Sequence, residues 1–271
     1  MNRDVPLLAG MQQRYPARTV MSNGAEWTVR DTAPDARGRM PLLLLPGALG
    51  TGDVFYHVLA AMGETHRLIA VTYPPIGDMV KLAQGVAGLF DALDLPQADL
   101  LGTSLGGYVA QLVALARPER LHRLVLANTF YDPGLQQKRW PPPAEFCKTP
   151  AREVLAAART QLAAGPEPTP EHGDLKRVML ELVGAAQPAE SVKALRIAVL
   201  TAFPLARVPL DDAAITLIDD DDDPVIAPPT REQMRLRYKN CRHIRIDGGG
   251  HFPSNLQPAR YVAAVREALA A

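Results

Sequence analysis

The sequence predicts an α/β fold: a mostly parallel, eight-stranded sheet with helices on both faces. Three observations carry that prediction. Short apolar runs alternate with segments of helical periodicity along most of the chain, the pattern of repeated strand–helix units. The run Pro41-Leu-Leu-Leu-Leu45 is continuously apolar, as a strand buried on both faces requires. The stretch Asp99-Leu-Leu-Gly-Thr-Ser104-Leu-Gly-Gly-Tyr108 passes through Gly102-x-Ser104-x-Gly106 into a helical pattern that runs to Ala116. A serine on so tight a strand-to-helix turn needs small residues two before and two after it, and both are glycine.

The elements follow in order. Met1 to Gly10 holds a few apolar residues broken by Asp4 and Pro6, too short and interrupted for a signal-peptide core. Thr19–Met21 and Glu26–Arg30 flank Ser22-Asn-Gly24, which predicts an opening antiparallel hairpin. The 41–45 strand ends in the glycine-rich Pro46-Gly-Ala-Leu-Gly-Thr-Gly52 and leads into a helix over 54–62. Arg67–Val71 is the next strand, followed by Thr72-Tyr-Pro-Pro75 and a helix over 79–93. After the serine turn and its helix comes the strand Arg123–Ala127. Such short connections place successive strand ends on the carboxyl edge of the sheet, where open α/β sheets bind ligands.

From Pro133 to Pro209 the pattern changes. This stretch has no convincing strand, many prolines, and helical segments near 151–164, 172–184 and 189–202. A block of this kind between two sheet strands reads as an inserted helical cap. The expected division is therefore a core of 1–132 and 210–271 with a cap of 133–209. The sheet resumes with Ala214–Ile218, a helix near 228–238, the strand His243–Ile246 and a last helix over 258–270.

Composition narrows the function classes. The 271 residues are 47% hydrophobic and 21% charged, ordinary for a globular protein with one large domain and an insertion. Lys+Arg and Asp+Glu both number 29, so no basic surplus argues for nucleic acid or anionic lipid. No window is long enough to span a bilayer, and a cytoplasmic protein is expected. Cys147 and Cys241 stand far apart without metal-ligand spacing and read as buried small hydrophobes in a reducing compartment.

A serine hydroxyl is a poor nucleophile at neutral pH, so Ser104 needs a base within hydrogen-bond reach and a third group to hold that base. Of the histidines at 57, 66, 122, 172, 243 and 251, only His251 lies on a loop suited to the role, Asp247-Gly-Gly-Gly-His-Phe-Pro253, after the last strand. The acid is expected between serine and histidine in chain order. The run Asp219 to Asp223 follows the penultimate strand, and Asp223, just before Pro224, is preferred. Asp220, Asp221, Asp222 and Asp132 remain open as alternatives. The run lacks the alternating ligands and glycine of a calcium loop. Two amides are expected to hold an oxyanion: Leu105, after the nucleophile, and Ala48, with Leu49 as the fallback. The Pro46–Gly52 loop lacks the features of a phosphate-binding loop or dinucleotide fingerprint.

Gly102-Thr-Ser-Leu-Gly106, Asp223-Pro-Val and Gly250-His-Phe-Pro253, in this order around a helical insertion, resemble the α/β-hydrolase superfamily. Leu45-Pro-Gly-Ala-Leu-Gly-Thr-Gly-Asp-Val-Phe55, Ile69 to Pro74, Gly102 to Gln111 and Leu126-Ala-Asn-Thr-Phe130 resemble the maspardin-like branch. That branch includes members regarded as binding proteins, with asparagine in place of the catalytic histidine; this chain has His251. It also has Leu45-Pro46-Gly47 where many esterases have His-Gly, and Thr103 where histidine is common. The resemblance implies two-step acyl transfer on a small-molecule substrate, with no cofactor and no metal. A carboxylic ester or thioester is the first expectation, carbon–carbon bond hydrolysis the second, and a non-catalytic interaction protein the third. Leu49, Tyr73, Phe130, Trp140 and Phe252 are the candidate substrate contacts. Phe146, Leu155, Leu162, Met179, Leu180 and Phe203 add apolar surface in the insertion. The oligomeric state is left open, a homodimer included.

Overall fold

The computed structural model describes residues 3–35, 40–185 and 188–270. The chain opens with helix α1 (Asp4–Arg14), then strands β1 (Arg18–Ser22), β2 (Ala25–Asp31) and β3 (Leu42–Leu45). Helix α2 (Tyr56–Met62), β4 (Leu68–Thr72), α3 (Met79–Ala92), β5 (Ala98–Thr103), α4 (Leu105–Ala116) and β6 (Leu121–Ala127) follow. Next comes a helical block: α5 (Gly134–Gln137), α6 (Pro143–Phe146), α7 (Ala151–Ala164), α8 (Pro170–Ala185) and α9 (Ala189–Leu200). Then β7 (Ile215–Asp219), α10 (Pro228–Arg237), β8 (Arg242–Arg245), α11 (Pro253–Leu256) and α12 (Pro258–Ala270) complete the described chain.

The eight strands form one sheet in the order β1-β2-β4-β3-β5-β6-β7-β8. The β1–β2 and β2–β4 pairs are antiparallel and every other pair is parallel. The expected hairpin is present: Asn23 and Gly24 take positive φ values of 49° and 76°, the backbone that a two-residue loop between twisted strands requires.

Period-two alternation in the buried strands builds two cores. Leu43 and Leu45 face a cluster with Val86 and Leu89 of α3 and Val109 and Val113 of α4. Leu42 and Leu44 face the opposite cluster, with Val58 and Leu59 of α2 and Tyr261 and Val265 of α12. A run of four leucines is thus one strand sandwiched between helical layers.

Three findings differ from expectation. Helix α1 forms where no element is expected; Pro6 sits in its first turn, where a missing N–H costs nothing, and Leu8 and Met11 bury against the second cluster. Cys147 is exposed rather than buried. Cys241 is half-buried beside Asp212, and burial together with that carboxylate pushes its thiol up to about 12.

Topology decides where a site can form. β3 lies between β4 and β5, so the chain winds one way to β4 and returns past β3 to β5. The crevice at that reversal opens at the carboxyl ends of the strands. Leu45 pairs with Gly102 and Thr103 with Ala127, which sets the loops after β3, β5 and β6 side by side.

Candidate active site

Ser104 is the single residue between β5 and α4, at φ 53° and ψ −121°. This is strained backbone for a residue with a Cβ, costing on the order of 1–3 kcal/mol. The surroundings hold it there. Its N–H donates to the Ala127 carbonyl at 3.0 Å, and its own carbonyl accepts from Thr129 Oγ1 at 2.6 Å and Gly107 N–H at 3.0 Å. The flanking glycines are required by contact. A Cβ on Gly102 would stand 2.6 Å from the Gly107 nitrogen, and one on Gly106 would stand 2.5 Å from the Pro46 carbonyl oxygen.

The five aspartates from the last residue of β7 onward separate by partner. Asp219 receives two hydrogen bonds from Arg235, both 2.8 Å, and lies 2.8 Å from His243 Nε2. Burial raises its pKa, but the hydrogen bonds from His243 and Arg235 and the charge of the guanidinium outweigh it and hold the carboxyl at about 2. Asp220, fully buried, accepts the Gly249 N–H at 2.8 Å. Asp221 pairs with Arg235 and Arg245 at the surface. Asp222 accepts the Gly250 N–H at 3.3 Å. Asp223 alone reaches His251, whose Nδ1 lies 2.8 Å from Oδ2. Asp132 instead accepts the Gly134 N–H at 2.9 Å, closing a turn ahead of α5.

Asp223 is buried, and burial pushes its pKa up. The hydrogen bond and charge of His251, with Asn128 and the Ile226 N–H, more than offset this and leave the carboxyl below its ordinary value. Its Oδ1 accepts from Val225 N–H at 2.7 Å and Ile226 N–H at 2.9 Å. Oδ2 also accepts from Asn128 Nδ2 at 2.8 Å.

Asn128 is a site residue that the sequence did not single out. It follows β6 at φ 42°, and its Nδ2 donates both to Asp223 and to the Gly250 carbonyl at 3.1 Å. It thereby ties the acid loop to the histidine loop. The reversed amide would set an oxygen against two acceptors, so the orientation is fixed by its neighbours. The local signal was an asparagine directly after a buried strand, a residue type that tolerates the left-handed backbone found there.

Ser104 and His251 line one cavity of about 250 Å³ at the carboxyl edge of the sheet. Gly47 forms part of its wall, close enough that a Cβ there would lie 3.1 Å from Ser104 Cβ. Ala48 sits inside a turn closed by the Gly50 N–H on the Gly47 carbonyl. Leu105 opens α4, so its N–H has no acceptor within the helix. The helical block roofs the cavity with Trp140, Ala158, Val183, Val192 and Arg196.

Of the expected substrate contacts, Leu49, Trp140 and Phe252 line the cavity, and Tyr73 and Phe130 do not. Tyr73 is buried edge-on against Trp27, and Phe130 packs on Tyr108. Both lie in the core on the α3–α4 side of the sheet. Within the insertion, Phe146 and Leu155 pack together beneath Trp140, while Phe203 is 48% exposed. Position near a strand end was therefore insufficient, because the side-chain face decides between core and cavity.

Other histidines meet carboxylates, His122 with Asp99 and His243 with Asp219, but neither histidine lines the cavity with Ser104. Among the described residues no cluster of three or more His, Cys, Asp or Glu side chains is arranged to hold a metal ion. Among them, too, no helix is long and apolar enough to cross a membrane.

Comparison with known proteins bears on the fold and the family. Maspardin of Danio rerio is 29% identical over 230 residues, covering 84% of this chain and 73% of that protein. A hydrolase from Pseudomonas aeruginosa PA01 superposes with a TM-score of 0.73 at 24% identity, over 94% of this chain and 99% of that one. A thermophilic esterase from Thermogutta terrifontis gives 0.70 at 20% identity, over 93% and 97%. At these identities the two structures speak for the fold. The sequence model of the Alpha/beta hydrolase family matches residues 42–264, from β3 into α12, and on that match the chain belongs to the alpha/beta hydrolase family.

Proposed function

We propose that the protein is a serine hydrolase acting by acyl transfer, most favourably on a carboxylic ester or thioester with an apolar group. The observation that carries this reading is that His251, paired through Nδ1 with the buried Asp223, lines one cavity with the strained Ser104. In the reaction, His251 takes the proton as Ser104 Oγ attacks the carbonyl. Asp223, accepting from His251 Nδ1–H, fixes the tautomer that leaves Nε2 as base and stabilises the imidazolium that forms. The Ala48 and Leu105 amides hold the oxyanion. The alcohol or thiol leaves with the proton from His251, and a water activated by the same histidine releases the acid.

The helical block is read as a cap, because five of its residues close the cavity over the serine with mostly apolar surface. A serine nucleophile with this base could also cleave a carbon–carbon bond of a diketone. Similarity to maspardins supports a second reading, a non-catalytic binding protein.

The test is intact mass after treatment with a fluorophosphonate. Stoichiometric labelling of the wild type and none of S104A is the expected result. A folded wild type that takes no label refutes the hydrolase reading and leaves the binding reading in its place.

A further inference from the structure

The cavity beside Ser104 is lined mainly by apolar side chains, and among the described lining residues Arg196 is the one permanently charged group. Arg196 lies on α9, within the helical block, and its guanidinium carbon stands 4.5 Å from the centre of the Trp140 ring. One N–H from Nη1 donates to the Val154 carbonyl at 3.2 Å. Among the described residues no carboxylate pairs with it, and no other hydrogen bond from its guanidinium is seen.

A guanidinium in such a place is costly. Burial lowers its pKa to about 10, so it remains charged at neutral pH while having lost much of its hydration. Packing on the Trp140 face offsets part of that loss. A leucine or methionine would close the same roof without a partly buried charge. Every other arginine whose ion pair is described meets its carboxylate on the surface or in the sheet, as Arg67 does with Asp31 at 2.8 Å. Among the described residues nothing supplies a counter-charge to Arg196, and what enters the cavity can.

We infer that Arg196 receives a carboxylate of the substrate, so that the ester or thioester cleaved at Ser104 is an anionic one. This rests on the hydrolase reading above and specifies its substrate class. A carboxylate suits the site because its two oxygens match the planar fork of a guanidinium, and bidentate pairing strengthens where water is excluded. The apolar lining near Leu49, Val54 and Val225 would hold the carbon chain between the scissile carbonyl and the charged end.

The test compares charged and neutral esters in two matched pairs. Mono-4-nitrophenyl adipate against 4-nitrophenyl hexanoate places the charge on the acyl side. 4-Butyryloxybenzoate against phenyl butyrate places it on the alcohol side. The quantity read is the ratio of kcat/KM for the charged ester to that for the neutral one. In at least one pair the wild-type ratio is expected to exceed that of R196M by about tenfold or more, with R196K between them because it keeps the charge and loses the fork. The pair that responds identifies the side carrying the carboxylate. A ratio unchanged by both substitutions in both pairs overturns the inference.

A second readout separates this outcome from failure of the hydrolase reading. Adipate is titrated calorimetrically into S104A and into S104A carrying R196M, where no turnover is needed. Binding weakened about tenfold by R196M supports the inference even if no ester is cleaved. Equal affinity in both variants, or no binding to either, overturns it.

Discussion

Removing Asn128 tests whether the acid and histidine loops are held as one unit. N128A deletes two hydrogen bonds from a side chain that is 1% exposed: Nδ2 to Asp223 Oδ2 and Nδ2 to the Gly250 carbonyl. The first goes to a charged acceptor and is worth about 1.5–3 kcal/mol, the second about 0.5–1.5 kcal/mol. Alanine at φ 42° adds about 1 kcal/mol of backbone strain. Against this, Asn128 Oδ1 is buried without a partner among the described residues, and its removal returns about 1 kcal/mol. The expected net loss is about 2–4 kcal/mol at pH 7, measured by urea unfolding. N128G, which tolerates positive φ, should lose about 1 kcal/mol less than N128A and so isolates the hydrogen-bond contribution. The pH dependence has a definite sign. Asp223 has a folded pKa below its ordinary value of 3.8, so its stabilisation is full above that value and is lost as pH falls through the folded one. Without Asn128 the folded pKa rises, and the gap between variant and wild type should narrow below about pH 4. A loss under about 0.5 kcal/mol at pH 7, or a gap of constant size down to pH 3, would refute the account of Asn128 as a clamp on the carboxylate.

Two further outcomes follow from the same geometry. D223N should keep the fold but present the wrong histidine tautomer to Ser104, lowering the fluorophosphonate labelling rate by about a thousandfold or more; a loss under tenfold would remove Asp223 from the mechanism. D219N should cost about 1–2 kcal/mol at neutral pH, allowing for partial solvent screening of the Arg235 and His243 pairs. Because the Asp219 pKa is depressed to about 2, that contribution is present above pH 4 and fades as pH falls toward 2, so acid unfolding curves of variant and wild type should converge there.

The sheet was legible because each buried strand announces itself locally. Four leucines in β3 can be satisfied only by hydrophobic layers on both faces, and Asn23-Gly24 permits a hairpin between β1 and β2. The serine turn was legible for a similar reason: Gly102 and Gly106 are demanded by contacts a few residues away along the chain and by the loop after β3. Helix α1 was not, since only Leu8 and Met11 are fully buried, with Val5 and Leu7 partly so, and its stability comes from a partner layer invisible in its own pattern. Tyr73 and Phe130 were misread because a residue at a strand end points to one side or the other, and one step of register exchanges core for cavity. Arg196 carried no signal at all. An arginine on an amphipathic helix reads as its solvated face, and only the docking of α9 over the strand ends turns that face inward.

The acidic run shows where local chemistry stops being informative and tertiary pairing takes over. Five adjacent carboxylates would repel one another if left together, yet each here has donors of its own or, for Asp219 and Asp221, shares Arg235. Arginines take Asp219 and Asp221, loop amides take Asp220 and Asp222, and the histidine takes Asp223. The two loop amides belong to Gly249 and Gly250, immediately before His251, so Asp220 and Asp222 fix the backbone that carries the imidazole. Asn128 adds a third tie at the Gly250 carbonyl. Asp220 and Asp222, open in the sequence as alternatives for the acid, instead hold the histidine loop through its amides. More than one is needed because a glycine-rich loop has many accessible conformations, and only several directed hydrogen bonds together restrict it to the one that aims the imidazole.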